Sequence, residues 1–325
     1  MRRRALWSLV LAATLALLPA GGQAQANWPE RPVRIIVAFP PGGSTDVVTR
    51  LIAEGISGPL RQPVVVENRG GASGMIGTEQ VARAAPDGYT LLMTSAGPHA
   101  INGSLFPSIP YDPVRQFSPI VLTAVYPLLV VTPTDRAPNS IQEFVAHARA
   151  SAGRLNYCSI GTGLPSHLAA ELFKARAGVD MVHVPYRGSG PAVVAAVAGE
   201  CDILFDSALS SGPQVRGGRL KVLAVTSSQR VPSWANVPTV AEAALPGFEA
   251  ATWTALVAPA GVPEPIIRRL NEEVGRFMAS PRYRDALEAH GAIPGGGTPE
   301  ELGRFIQAEI NKWAEVIRAG NIRPD

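Results

Sequence analysis

Two patterns of hydrophobic and polar positions alternate along the chain. VRIIVAF (33–39) is a largely apolar run closed by Pro40-Pro41, which marks a buried strand. Val47, Val48, Leu51, Ile52 and Ile56 then recur at helical spacing, with Ser44 or Asp46 placed to cap that helix. PVVVENR (63–69) is a second strand, GGASG (70–74) a glycine turn, and Ile76, Val81 and Ala82 mark another helix. After a turn at Pro86-Asp87-Gly88 comes a third strand, YTLLMTS (89–95).

The same order returns from Arg154. LNYCSI (155–160) is a strand, GTG (161–163) a glycine turn, and Leu168, Leu172 and Phe173 mark a helix. MVHVPY (181–186), RGSG (187–190), the helix PAVVAAVAG and the strand CDILFDS (201–207) complete it. The two passes share architecture and negligible sequence identity. Strands alternating with helices imply parallel sheets, so two such units predict two α/β lobes. Ligands of open α/β sheets sit beyond the carboxyl ends of the strands, where the glycine turns lie.

The connections fit two lobes. FSPIVLTAVYPLLVVTP (117–133) is long for one strand and carries Pro127 in its middle, so it is read as a crossover. RLKVLAVTS (219–227) adds a strand to the second lobe. VPTVAEAALPGF (237–248) holds a Thr239–Glu242 capping box, and residues 248–259 cross back. Amphipathic helices follow over 263–279 and 281–290. A final helix opens at Thr298-Pro299-Glu300-Glu301 and runs to about Ala319. The expected division is 27–124 with 251–325 for lobe 1 and 125–250 for lobe 2.

The first residues change the charge balance. A basic head (Arg2, Arg3, Arg4), an apolar stretch from Ala5 to Leu18 and an Ala-x-Ala site at 24–26 form a secretory signal peptide. Residues 1–26 are expected to leave, with cleavage after Ala26 and export to the periplasm. The whole chain has 29 basic and 26 acidic residues; losing three arginines makes the mature chain neutral. No basic stripe remains, so nucleic acid is excluded as a partner. The 46% hydrophobic content suits a globular chain, although Gly 32 and Pro 30 imply many turns. Cys158 and Cys201 either bridge, as an oxidising compartment allows, or stay as buried thiols.

FPPGGSTD (39–46) is a glycine-rich turn between strand and helix, the setting of an anion site. A nucleotide P-loop needs a lysine, yet the chain's lysines are only Lys174, Lys221 and Lys312. Backbone N–H groups around Gly42 and Gly43, with Pro41, Ser44 and Asp46 beside them, suit a carboxylate. GTGLPSH (161–167) answers from the second lobe with Gly161, Thr162, Gly163, Ser166 and His167. Asp206 and Ser207 close a strand at its carboxyl end, as Ser95 and Ala96 do in the first lobe. GGASGMIG lacks the acidic residue a dinucleotide site needs at the end of the next strand. The chain has no GxSxG, HExxH or CxxC pattern, and its histidines at 99, 147, 167, 183 and 290 are scattered. No cofactor, metal or catalytic residue is expected. A hydrolase using Ser166, His167 and Asp206 is disfavoured because side chains of adjacent helical residues diverge.

The mature chain resembles the Bug-type periplasmic solute-binding proteins, the TctC-like receptors of tripartite tricarboxylate transporters. The resemblance rests on FPPGGSTDVVTRLIA, VVENRGGASGMIGTEQVARAAPDGYTLL, HVPYRGSGPAVVAAVAGECDILFD, LKVLAVTSSQR, VPTVAEAALPGFE and APAGVPEPIIRRLN. It implies a type II periplasmic-binding-protein fold, two lobes of mostly parallel sheet flanked by helices around a ligand cleft. It also implies a small carboxylate held by backbone groups and water between Pro41-Gly42-Gly43-Ser44 and Gly161-Thr162-Gly163. Asp206 and Ser207 would contact the rest of the ligand, and Arg187 is a candidate for a second carboxylate. A monomer delivering its ligand to an integral membrane permease is the expected role; a carboxylate sensor is the alternative.

Overall fold

The computed structural model describes residues 28–39, 41–186, 189–289 and 291–324. The expected signal peptide, its cleavage after Ala26, and Arg187 lie outside these residues. The first unit runs β1 (Val33–Val37), α1 (Ser44–Leu60), β2 (Val64–Asn68), α2 (Met75–Ala82) and β3 (Thr90–Ser95). A π-helical turn over Gly97–Ile101 leads into α3 (Asn102–Leu105), β4 (Phe117–Pro133) and α4 (Ile141–Ala150). The second unit is β5 (Asn156–Ser159), α5 (Pro165–Ala177), β6 (Val182–Pro185), α6 (Ser189–Val197) and β7 (Ile203–Ser207). Then come α7 (Ala208–Arg216), β8 (Leu220–Val225), α8 (Val240–Ala243), β9 (Ala251–Pro259), α9 (Glu264–Met278), α10 (Pro281–Ala289), β10 (Ile293–Gly296) and α11 (Pro299–Ala319).

The two units pair alike. β1 lies parallel between β2 and β3, and β5 lies parallel between β6 and β7. The strands between these triples are antiparallel: β3 pairs β9, β9 pairs β4, and β4 pairs β7, β8 and β10. The sheet is therefore mixed, more so than the alternating pattern implied, because the linking strands pair without crossover helices. β4 serves both halves. Residues from Phe117 to Pro127 pair β9, while Leu128 to Pro133 pair β7 and β8. Pro127 sits where the partners change, a position that tolerates a missing N–H.

Alternate residues of the strands face opposite layers. Val33, Ile35 and Val37 join a core with Ile52 and Ile56 of α1 and with Leu270 and Val274 of α9. Ile36 and Ala38 face a second core that includes Trp313 of α11 and continues through Phe144, Phe173 and Phe205 of the other half. Glu309 ties α11 to β9: its carboxylate accepts from the indole N–H groups of Trp253 and Trp313, each at 2.9 Å. The C-terminal helices thus pack on the first half. Both expected capping boxes form, at Thr239 with Glu242 and at Thr298 with Glu301.

One local expectation needs correction, and one open question is answered. The N-cap of α1 is Gly43, which has no side chain to offer; Ser44 is already helical. Asp46, three residues into the helix, reaches back and accepts from the Gly42 N–H at 2.9 Å. The cysteine question resolves as a disulfide joining Cys158 to Cys201, with Cα atoms 5.7 Å apart. Cys158 lies in β5, and Cys201 stands two residues before β7, the strand that runs parallel beside it.

Candidate ligand-binding site

The carboxyl ends of β1 and β3 and the loop after β5 surround a cavity of about 390 Å³. Ser95 enters it from the end of β3, and Thr162 and Gly163 from the GTG loop. These three sequence candidates, drawn from both halves, are brought together. Ser73 joins them from the GGASG turn, where Gly71, Ala72, Ser73 and Gly74 all have positive φ. Such a run is costly for alanine and serine, and it is held in place where Asn102 Nδ2 donates to the Ser73 carbonyl at 3.0 Å. The hydroxyls of Ser73, Ser95 and Thr162 have no hydrogen-bond partner among the described residues.

Apart from Asn102, the remaining side chains of the wall are apolar. Phe39 follows β1; Ile101, Leu105 and Phe106 come from the π turn, α3 and the residue beyond; Leu164 and Pro165 open α5; Pro324 arrives from the C-terminal segment. Sequence reasoning missed these residues. The spacing of Ile101, Leu105 and Phe106 just after a strand end was the available signal, since it gives a short helical segment an apolar face. Leu105 reaches across to Gly163: a Cβ on that glycine would lie 2.4 Å from Leu105 Cδ2. The two halves are therefore in contact at the cavity.

The GTG loop is held from beneath by histidines. The Gly163 N–H donates to His167 Nδ1 at 2.9 Å. The Gly161 N–H donates to Ser159 Oγ at 3.2 Å, and that oxygen bonds His183 Nε2 at 2.7 Å. The His167 and His183 rings stack with centroids 3.9 Å apart, and Tyr157 stacks on His183 at 4.9 Å. His167 is thus a positioning residue with its Nδ1 lone pair committed. Both glycine N–H groups of the loop are consumed internally, as is that of Gly42. The donors left for a ligand are the three hydroxyls; in the first turn of α5, Pro165 has no N–H and the Leu168 N–H donates to the Leu164 carbonyl. The N-terminal end of α5 adds roughly half a unit of positive charge there.

Other candidates are spent on structure. Asp46 is buried, with Arg50 and Asn68 as further partners. Burial works to raise its carboxyl, but hydrogen bonds from Arg50, Gly42 and Asn68 outweigh it and hold the group below the ordinary carboxylate value. Asp206 is also buried and accepts from Ser189 Oγ and Ser211 Oγ, each at 2.7 Å, tying α6 to α7. There burial wins, and the carboxyl is raised despite the serine hydrogen bonds. Ser207 caps α7 by accepting from the Ser210 N–H, and Ser166 Oγ donates to the Phe205 carbonyl. Pro41, Gly42, Gly43 and Ser44 are exposed and stand outside the cavity wall; Tyr126 of the crossover donates to the Ser44 carbonyl at 3.3 Å. Gly42 carries the positive φ, 86°, whereas Gly43 (φ −78°) has a backbone any residue adopts.

Residues 48–322 match the family described as tripartite tricarboxylate transporter family receptor. The chain belongs to that family. As a member of a receptor family it is a substrate-binding protein rather than an enzyme, and the hydrolase alternative falls. It is 40% identical over 293 residues to protein BugT of Bordetella pertussis, covering 90% of each chain. Among solved structures it resembles Rpa4515 of R. palustris with adipate, at 36% identity and TM-score 0.77, covering 92% of this chain and 100% of that one. MatC of Rhodopseudomonas palustris with bound malate is similar at 36% identity and TM-score 0.72, over 89% and 100% of the two chains. These neighbours fix the fold as that of periplasmic binding proteins of this receptor type. Among the described residues no helix is long and apolar enough to cross a membrane, and no three potential ligands cluster to hold a metal.

Proposed function

We propose that this receptor captures a small carboxylate in the cavity between its two halves and delivers it to an integral membrane permease. The supporting observation is the cavity itself. It joins Ser95 of one half to Thr162 and Gly163 of the other, and its partnerless hydroxyls lie beside the positive end of α5. A carboxylate needs such donors, and the adipate and malate bound by two relatives belong to the same chemical class. Residues 27–124 with 251–325 act as one lobe and 125–250 as the other, turning about the strands that link them. The Pro41–Ser44 loop swings in as the second jaw. Asp206 and Ser207 support the far wall through α6 and α7. The chain works as a periplasmic monomer after cleavage at Ala26.

Thermal denaturation with a panel of carboxylates tests the reading. A ligand at about 100 times its Kd adds about 2.7 kcal/mol to stability, so a true ligand gives a saturable rise in midpoint. The ligand must also be recovered unchanged. A panel without any saturable shift, or turnover of the bound acid, sinks the proposal.

A further inference from the structure

Asn102 stands where three elements meet. Its backbone N–H donates to the Gly97 carbonyl, five residues back, and closes the π turn. Its carbonyl accepts from the Phe106 N–H at 3.0 Å across α3. Its buried side chain leaves both elements and donates from Nδ2 to the Ser73 carbonyl at 3.0 Å. The π turn is what aims it there. A π turn carries one residue more than an α turn, and one residue is about 100° of rotation round a helix. Closed as an α turn, the segment would carry the side chain at position 102 away from Ser73. The π turn is itself fixed: Thr94 Oγ1 bonds His99 Nδ1 at 2.7 Å, and the Tyr111 hydroxyl donates to the Pro98 carbonyl at 2.9 Å. Pro98 also packs on the GGASG turn, where a Cβ on Gly74 would lie 2.8 Å from Pro98 Cγ.

The GGASG turn needs this support. Ala72 (φ 48°) and Ser73 (φ 53°) are left-handed, a course that L side chains abandon unless the surroundings hold it. Ser73 and Asn102 both line the cavity. We infer that Asn102 is a positioning residue for ligand capture: it holds the GGASG turn in its left-handed course and so sets the part of the cavity wall made by Ser73. The inference rests on the proposed carboxylate reading of the cavity and adds a residue to it. Leu105, in the same short helix α3, meets Gly163 of the other half. One short segment thus carries both the tie to the GGASG turn and the contact with the GTG loop.

Two measurements on the full mature chain test it. Hydrogen exchange compares the wild type with Asn102→Ala. Faster exchange over residues 70–75, where the Gly74 N–H bonds the Gly71 carbonyl, with β1 and β9 unchanged, is the expected result. Exchange there as slow as in the wild type overturns the inference. Calorimetric titration with adipate, malate, hexanoate and benzoate then measures affinity. For each acid that the wild type binds, Asn102→Ala is expected to lose at least tenfold, and a loss under threefold overturns the inference while leaving carboxylate capture intact. Ala72→Gly supplies a rescue, because glycine takes the left-handed course without strain. Ala72 is exposed, so the change removes no buried contact. In that background the loss from Asn102→Ala is expected to shrink to threefold or less. An equal loss in both backgrounds assigns Asn102 to general packing and overturns the positioning role. Silence of the wild type toward all four acids overturns the carboxylate reading, and this inference with it. Should Asn102→Ala fail to fold, Asn102→Ser, whose side chain stops one bond short of the amide nitrogen, takes its place with the same outcomes.

Discussion

Gly163→Ala probes the contact between the two halves. Gly163 sits at φ +73°, a left-handed conformation that costs an L-residue about 1–2 kcal/mol. Its new Cβ would meet Leu105 Cδ2 at 2.4 Å and Cδ1 at 3.2 Å, so the leucine must retreat. Leu105 lines the cavity, and its way out is into that space or apart from the other half. Backbone strain and the displaced leucine together weaken the closed, liganded form by about 2 kcal/mol, roughly thirtyfold in Kd. Titration of a bound carboxylate measures the loss, and circular dichroism checks that the fold survives. A double-mutant cycle with Leu105→Ala separates the causes, because shortening the leucine removes the collision and leaves the strain. A coupling of about 1 kcal/mol is expected. Affinity within threefold of wild type, or a cycle without coupling, would refute the claim that Leu105 and Gly163 meet in the binding state.

Gly43→Val tests the exposed loop: its backbone accepts any residue, so the denaturation midpoint should hold while carboxylate affinity falls at least tenfold, and unchanged affinity removes the loop from the site. His99 is buried against Phe117 and burial pushes its pKa from 6.5 down to about 3. The folded chain then holds neutral His99 where the unfolded chain takes a proton, so stability is full above pH 6.5 and drains as pH falls toward 3. His99→Gln, which can keep a bond to Thr94, should recover about 3 kcal/mol of the loss between pH 6.5 and 4 in denaturant titrations, and parallel pH curves would exclude His99. Reducing the Cys158–Cys201 bridge, which closes a loop with sequence separation 43, should lower stability by about 4 kcal/mol on chain-entropy grounds; a midpoint unmoved by reductant contradicts that.

Much of the architecture was legible in the sequence because its signals are local. The alternation of apolar runs, glycine turns and helical periodicity needs only neighbouring residues to be seen, and it returned both parallel triples. The caps at Thr239 and Thr298 act within one helical turn, so both formed as expected. Pro127 marked the crossover because a residue without an N–H fits best where a strand changes partners.

The site was legible only in outline. Ser95, Thr162 and Gly163 follow from the rule that ligands gather beyond strand ends. Which polar groups are free does not follow from it. The N–H groups of Gly42, Gly161 and Gly163 look like ligand donors in sequence, yet each is satisfied by Asp46, Ser159 or His167. Asp206, expected from its place at a strand end to contact the ligand, accepts hydrogen bonds from two helices that only the fold brings to it.

The sequence by itself determined the repeating unit, the two capping boxes, the crossover strand and the family. Each of these is written in residues close together along the chain. The tertiary structure decided the disulfide, the antiparallel middle of the sheet and the apolar wall. Leu105 finds Gly163, and Glu309 finds Trp253, only after distant segments have packed. A buried donor must find an acceptor wherever the fold supplies one, so the fold determines which donors remain for the ligand.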